Sequence, residues 1–183
     1  MARYLISDTH FDHENIITYE NRPFDNVSEM NNQLISLWNE TVSDSDVVIH
    51  MGDFAMAQQE RTEKIMSKLN GNIILLRGNH DQGTISEYTF PYPYVESMTT
   101  QHKGYKYYCC HNKSDIPSYW KHWKLIGHQH SNIPFIDYKN KEINLSVEVI
   151  GYKPLSLDTL DTCLKSMNNK SINPKTIRDS IIY

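Results

Sequence analysis

Several features that would narrow the reading are scarce in this chain. Of its 183 residues only three are cysteine: Cys109, Cys110 and Cys163. Two adjoin and the third lies far along the chain, so they form neither a disulfide framework nor a zinc-finger spacing. Reduced, mostly buried thiols and a cytoplasmic location are the expectation. No apolar run approaches a membrane span, and the opening MARYLISDTH lacks the apolar stretch of a secretion signal, so no membrane partner is expected. Positive charge is not in excess: 18 Lys and Arg face 22 Asp and Glu, a net charge of −4. That balance argues against a protein that coats nucleic acid through its phosphates. It leaves chemistry on phosphates open, because bound cations invert the local field. Repeats and low-complexity tracts are absent as well.

What is present reads as one globular domain. Hydrophobic residues make up 39% and charged residues 22%, enough apolar content for one sizeable core. The expected domain is 1–167, with a polar tail over 168–183. Short apolar runs at Tyr4–Ile6, Val47–Ile49 and Ile73–Leu76 predict buried strands. Helical spacing predicts helices over 13–20, Val27–Thr41 and 58–69. This alternation implies a largely parallel sheet covered by helices. Beyond it, Tyr105–Cys110, Leu125-Ile126, Pro134–Tyr138 and Ile143–Val149 read as shorter strands of a second, more antiparallel sheet. A last helix is expected over Leu155–Met167.

The first three strands each end in a polar cluster: Asp8-Thr9-His10, Gly52-Asp53 and Gly78-Asn79-His80-Asp81. Ligands of open α/β sheets sit at the carboxyl ends of strands, so these clusters should converge. His111 ends a later strand, and Gly127-His128-Gln129-His130 places two more imidazoles after a glycine. Carboxylate, imidazole and amide together suit first-row divalent metals. Each fragment alone is a weak signal, since Gly-Asp is usually a turn and His-x-His is often a surface pair. Nine histidines and all these fragments in order, each at a strand end, make chance assembly a poor explanation.

The series Asp8-x-His10, Gly52-Asp53, Gly78-Asn79-His80-Asp81, His111 and Gly127-His128-x-His130 resembles the calcineurin-like metallophosphoesterase superfamily. The similarity spans residues 4–130. Residues 7–17, with Asn21-Arg22-Pro23-Phe24, resemble a small single-domain branch found in bacteria and their phages. Gly151-Tyr152-Lys153-Pro154 extends that likeness to about residue 157. The resemblance implies an α/β fold, a four-layer sandwich of two mixed β-sheets flanked by helices. It also implies two divalent metal ions. Asp8, His10 and His130 would hold one, Asn79, His111 and His128 the other, and Asp53 would bridge them. His80 would lie over the substrate as a non-ligand, with Asp81 orienting or polarising it. After His111 the chain reads Asn112-Lys113-Ser114-Asp115, where the branch more often has a compact His-x-Pro turn. The ligand role of His111 therefore rests on its strand-end position.

The implied reaction is attack of a metal-bridging hydroxide on phosphorus, with His80 protonating or stabilising the leaving oxygen. A phosphodiester of nucleotide or cyclic-nucleotide type is favoured over a phosphomonoester, because His80 suits poor leaving groups. A non-catalytic metal-binding scaffold predicts loss of Asp53, Asn79 or His80, and all three are present. Mixed nitrogen and oxygen donors favour Mn²⁺, with Fe, Zn or Ni as alternatives. Arg22 and His13 are the candidates for substrate binding, and Arg77 could also contact phosphate. Arg22 could instead pair with an acid, and His13 and Asn15 could instead cap a helix. Tyr88, Phe90, Tyr92 and Tyr94 could stack a base or pack on the core. Trp120 and Trp123 read as packing residues, and His50 is given no role.

Overall fold

Runs of β-branched and aliphatic residues build the first sheet. The computed structural model describes residues 1–86 and 89–168, and places β1 at Arg3–Ile6, β2 at Val47–His50 and β3 at Asn72–Leu76. These strands run parallel, with Leu5 opposite Ile49 and Ile49 opposite Ile74. A short β4 (Tyr94–Val95) continues the parallel set beside β3. The crossovers carry α1 (Glu14–Tyr19), α2 (Val27–Thr41) and α3 (Gln59–Met66). Met30, Leu34 and Trp38 form the buried stripe of α2. Asn26 starts that helix, its side chain accepting the Glu29 N–H at 2.9 Å.

The second sheet contains β5 (Ser97–His102), β6 (Tyr105–Cys110), β7 (Trp123–Ile126), β8 (Ile136–Asp137) and β9 (Glu142–Asn144). Its spatial order is β5-β6-β7-β9-β8. The three central strands are parallel and only the edge strands run antiparallel, so the sheet is mixed rather than mainly antiparallel. The segment expected as one strand over Ile143–Val149 divides. β9 ends at Asn144, and Val147–Ile150 forms the one-turn helix α4. The Asn144 side chain accepts the Ser146 N–H at 3.1 Å, which turns the chain out of the sheet. Leu155-Ser156 is strand β10, antiparallel to β1, and α5 follows over Leu157–Asn168. Ser156 accepts the Thr159 N–H at 3.0 Å, so the helix starts two residues later than expected. Tyr88 and the tail beyond 168 lie outside the described residues.

The result is two mixed five-stranded sheets flanked by helices, with β10-β1-β2-β3-β4 as the first. Leu5, Ile49 and Leu75 from one sheet join Tyr107, Leu125 and Ile143 from the other in a single buried cluster. The sheets are stitched at Ser7, which follows β1. Its N–H donates to the Leu145 carbonyl at 2.8 Å, and its carbonyl accepts the Val147 N–H at 3.1 Å. That seam brings the carboxyl ends of β1 and β9 together. Among the described residues no helix is long and apolar enough to cross a membrane.

Ile49 sits on the central strand at 1% exposure, in contact with the inter-sheet core. Ile49→Ala should therefore lower the unfolding free energy by about 2–5 kcal/mol. Urea denaturation followed by circular dichroism measures it; a loss under about 1 kcal/mol would contradict a tightly packed seam.

Candidate active site

Parallel strands deliver their carboxyl ends to one rim, and the polar clusters of the sequence meet there. Asp8 and His10 follow β1, Asp53 follows β2, Asn79 and His80 follow β3, His111 follows β6, and His128 and His130 follow β7. The backbone at these ends is unusual. Asp8, His10, Asp53, His128 and His130 have φ of 57°, 51°, 54°, 66° and 44°, in the left-handed region that side chains rarely enter. Ladders between loops hold them. The N–H groups of Asp8 and His10 donate to the carbonyls of Gly52 and Asp53, each at 3.1 Å. Gly78 has no room for a side chain, since a Cβ there would meet the Asp53 backbone and carboxylate.

Among the described residues three groups of possible metal ligands form, the ligand atoms of each within 4.8 Å of one another. Asp8, His10 and His130 make one and Asp53, His111 and His128 a second, both at this rim, while Glu20 and Glu148 make a third around the same His130. Asn79 Oδ1 joins the second at 3.0 Å from His111 Nε2, and His128 Nδ1 lies 3.2 Å from that same nitrogen. His111 Nδ1–H donates to the Met51 carbonyl at 2.9 Å, which turns Nε2 inward. Asp53 Oδ2 lies between the clusters, 3.6 Å from His10 Nε2 and 3.3 Å from His111 Nε2.

The electrostatics are those of charges withdrawn from water. Burial pushes Asp8 up and pulls His10 well below its ordinary value. Burial also opposes the charged forms of Asp53 and His111, but their mutual bond prevails, holding Asp53 well below the carboxylate range and raising His111 to about 9. The His10 Nε2 atom is buried with no hydrogen-bond partner. An orphaned imidazole nitrogen beside two carboxylates is the environment a cation would satisfy, so the donor set fits a metal.

Comparison with known proteins fixes the family. The chain matches the calcineurin-like phosphoesterase family over residues 1–171. It is 43% identical over 165 residues to the uncharacterized protein MJ1445 of Methanocaldococcus jannaschii, covering 86% of this chain and 88% of that protein. The chain belongs to the calcineurin-like phosphoesterase family. A crystal structure of the protein of unknown function AQ665 from Aquifex aeolicus shares the fold, with a TM-score of 0.68 and 24% identity over 88% of this chain and 98% of that one. The family uses divalent metals, and the two donor clusters of this phosphoesterase are the candidates for holding them.

Other side chains serve the backbone of these loops. Asp81 was expected to orient or polarise His80; its carboxylate is fully buried and bonded to backbone. Oδ2 accepts the N–H of Asp53 at 2.8 Å and of Gly78 at 2.9 Å, and Oδ1 that of Phe54 at 3.0 Å. It pins the β2 and β3 loops to each other. Arg22, a candidate for substrate, is 4% exposed and paired with an acid. Its Nε and Nη2 donate to Glu148 Oε1 at 2.9 and 2.6 Å, and its Nη2 and Nη1 to the carbonyls of Asp8 and Thr9 at 2.8 Å each. Glu148 Oε1 also meets His130 Nδ1 at 3.1 Å. Burial raises the Glu148 carboxyl, yet His130 and Arg22 overcome it and hold it low.

Glu148 escaped the sequence reading, as did Ser146, whose hydroxyl donates to Asp8 Oδ2 at 2.8 Å. The available signal was a carboxylate inside the apolar run Leu145–Ile150, which demands a buried cation partner. His13 occupies the position before α1 but makes no side-chain cap. Its ring faces the site instead, 5.3 Å from the ring of His10 and 6.0 Å from that of His80. Asn15 is exposed. Arg77 pairs with Glu96 and lies over Tyr94, while Phe90, Tyr92 and Tyr94 pack on the core.

His50 has a structural task behind the loops. Thr9 donates its hydroxyl hydrogen to the Phe54 carbonyl at 2.8 Å, so His50 Nε2–H donates to Thr9 Oγ1 at 3.0 Å. Nδ1 then accepts the Gly52 N–H at 3.2 Å, and only a neutral ring satisfies both contacts. Burial accordingly pulls its pKa from 6.5 down to about 3. The unfolded chain takes up this proton first, so its contribution is present above pH 6.5 and lost as pH falls toward 3. In EDTA, stability should fall across that window with up to about 1.4 kcal/mol per pH unit from this group. His50→Gln should flatten the slope, as urea titrations at several pH values will read; an unchanged slope would place the acid sensitivity elsewhere.

Proposed function

We propose that this phosphoesterase is a dinuclear metal-dependent phosphohydrolase that cleaves a small phosphodiester of nucleotide or cyclic-nucleotide type. The observation that carries the reading is Asp53 Oδ2, which faces an imidazole of each donor cluster at 3.6 and 3.3 Å. That position supports a carboxylate shared between two cations. Asp8, His10 and His130 would hold one, and Asn79, His111 and His128 the other. The absence of sulfur among these donors favours Mn²⁺, with Fe²⁺, Zn²⁺ or Ni²⁺ as alternatives. When bound, two such cations lower the pKa of water and stabilise charge on phosphoryl oxygens.

The chain's own residues do the rest. The His80 N–H is anchored on Asp53 Oδ1 at 2.9 Å, and its ring lies 5.2 Å from that of His10. Half-buried and outside both clusters, it can pass a proton from its imidazole to the leaving oxygen. Asp81 keeps His80 in place by fixing the backbone of Gly78 and Asp53, a positioning role. His13 offers a second imidazole at the rim for a phosphoryl oxygen. Arg22 holds Glu148, and Glu148 holds His130 Nδ1, which leaves His130 Nε2 for the first cluster at 3.9 Å from Asp8 Oδ1. The three buried free thiols support a reducing, cytoplasmic compartment.

Turnover with Mn²⁺ of a chromogenic phosphodiester, a phosphomonoester and cyclic dinucleotides tests the activity. The diesters should be preferred, and inactivity on all with two equivalents bound would sink the proposal. His80→Ala should retain both metals and lose about 10²- to 10⁴-fold in turnover. Asp53→Asn should lose both turnover and tight binding of the pair; full activity would rule out a shared carboxylate.

A separate measurement addresses the buried strut. Glu148→Gln should weaken one metal equivalent about 10- to 100-fold and leave the other unchanged. Isothermal titration resolves the two equivalents, and equal weakening of both would point to a general loss of structure.

A further inference from the structure

The net charge of this chain hides a segregation. Five of its 18 basic side chains, Lys113, Lys121, Lys124, Lys139 and Lys141, line one cleft of about 410 Å³. The cleft is formed by the 112–122 segment, the start of β7 and the turn between β8 and β9. Among the described residues no carboxylate lines it. Of the nearby acids, Glu142 pairs with Lys124 at 3.2 Å, while Asp137 and Asp115 keep their charge and accept from the Asn140 side chain at 2.7 Å and the Ser114 hydroxyl at 3.2 Å. Among the described residues Lys121 and Lys141 donate to backbone carbonyls alone, at 2.8 and 3.0 Å, which leaves their charge uncompensated by those contacts.

Aromatic rings interleave with these cations. Trp120 and His122 share the lining, their rings 5.4 Å apart. Trp120 is a fixed platform, because its indole N–H donates to the Trp123 carbonyl at 2.9 Å and its ring packs 5.5 Å from that of Tyr108. A second cleft of about 430 Å³ adjoins at Trp120 and adds Thr99, Gln101 and Lys106 from β5 and β6. Alternation along β6 turns Lys106 and Tyr108 outward and Tyr107 and Cys109 into the core. The outer face of the second sheet is therefore polar, basic and ringed.

We propose that this face binds single-stranded nucleic acid, with the backbone on the lysines and bases on Trp120 and His122. An acidic peptide or an anionic headgroup would use the lysines but leave the rings idle; a single strand uses both. Lys113 lies two residues beyond His111, whereas Lys121, Lys124, Lys139 and Lys141 lie at the starts of the parallel strands β7 and β9, so the cleft runs away from the strand ends that carry the site. Binding here needs none of the residues proposed for turnover, so the two proposals stand or fall separately.

Fluorescence anisotropy of a labelled oligothymidylate with the whole chain in EDTA reads the binding without metal-dependent cleavage. Saturable binding should weaken about 10- to 100-fold between about 50 and 200 mM salt, as three to five neutralised phosphates require. Lys139→Glu combined with Lys141→Glu should weaken it about tenfold or more, and Trp120→Leu should weaken it with less change in the salt dependence. Lys64→Glu, on α3 and outside both clefts, should have no effect. Thermal melts establish that each variant is folded. Absence of binding at low salt, equal loss from Lys64→Glu, or equal competition by polyglutamate would each overturn the proposal. So would unaltered binding by a folded Trp120→Leu.

Discussion

Asp53 places one carboxylate, 2% exposed, at the point where two sheets meet. One oxygen accepts the His80 N–H, and the other faces imidazoles contributed from β1 and β6. A charge so withdrawn from water is costly unless it is surrounded by partners, and the surrounding loops are arranged to provide them. Gly78 has to be a glycine because Asp53 fills the space its side chain would need. His111 has to present Nε2, so its other nitrogen is given a carbonyl. The seam at Ser7 has to be tight, because Asp8 and Ser146 on its two sides bond each other.

The charged residues around the site divide into those that face the rim and those that hold the loops. Asp81 and Arg22 belong to the second group, and both look functional in sequence because they sit in polar motifs. Burial decides between the two tasks. Asp81, pushed up to about 6 by desolvation, binds three backbone N–H groups. Arg22 ties Glu148 to the carbonyls of Asp8 and Thr9, so one guanidinium braces the β1 loop against α4.

Much of this is legible in the sequence. Val47–His50, Tyr105–Cys110 and Val27–Thr41 announce themselves by apolar runs or helical stripes, and the polar residues at the strand ends do converge. What escaped notice had no local signal. β5 reads Ser-Met-Thr-Thr-Gln-His, polar because one of its faces is open, so nothing in the run marks it as a strand. Val147–Ile150 is as β-branched as any strand, and only the Asn144–Ser146 turn diverts it. The partners of Glu148 and Asp81 depend on which backbone and side-chain donors lie within about 3 Å, a matter of three-dimensional register. The basic cleft is hidden for a related reason, since its lysines are scattered over 113–141 and the pairing of β7 with β9 sets Lys124 beside the turn that carries Lys139 and Lys141.

The left-handed backbone at Asp8, His10, Asp53, His128 and His130 reaches beyond geometry. Asp, Asn and His are the side chains that enter this region most readily after glycine, whereas β-branched and bulky residues are strained there. The main chain thereby limits the alphabet from which candidate ligands at these five positions can be drawn. Exchanges within that alphabet retune the donor atoms and leave the loops intact. A change toward glutamate or cysteine asks the backbone to move as well as the chemistry. The choice of donor atoms at this rim is in that sense partly a property of dihedral angles.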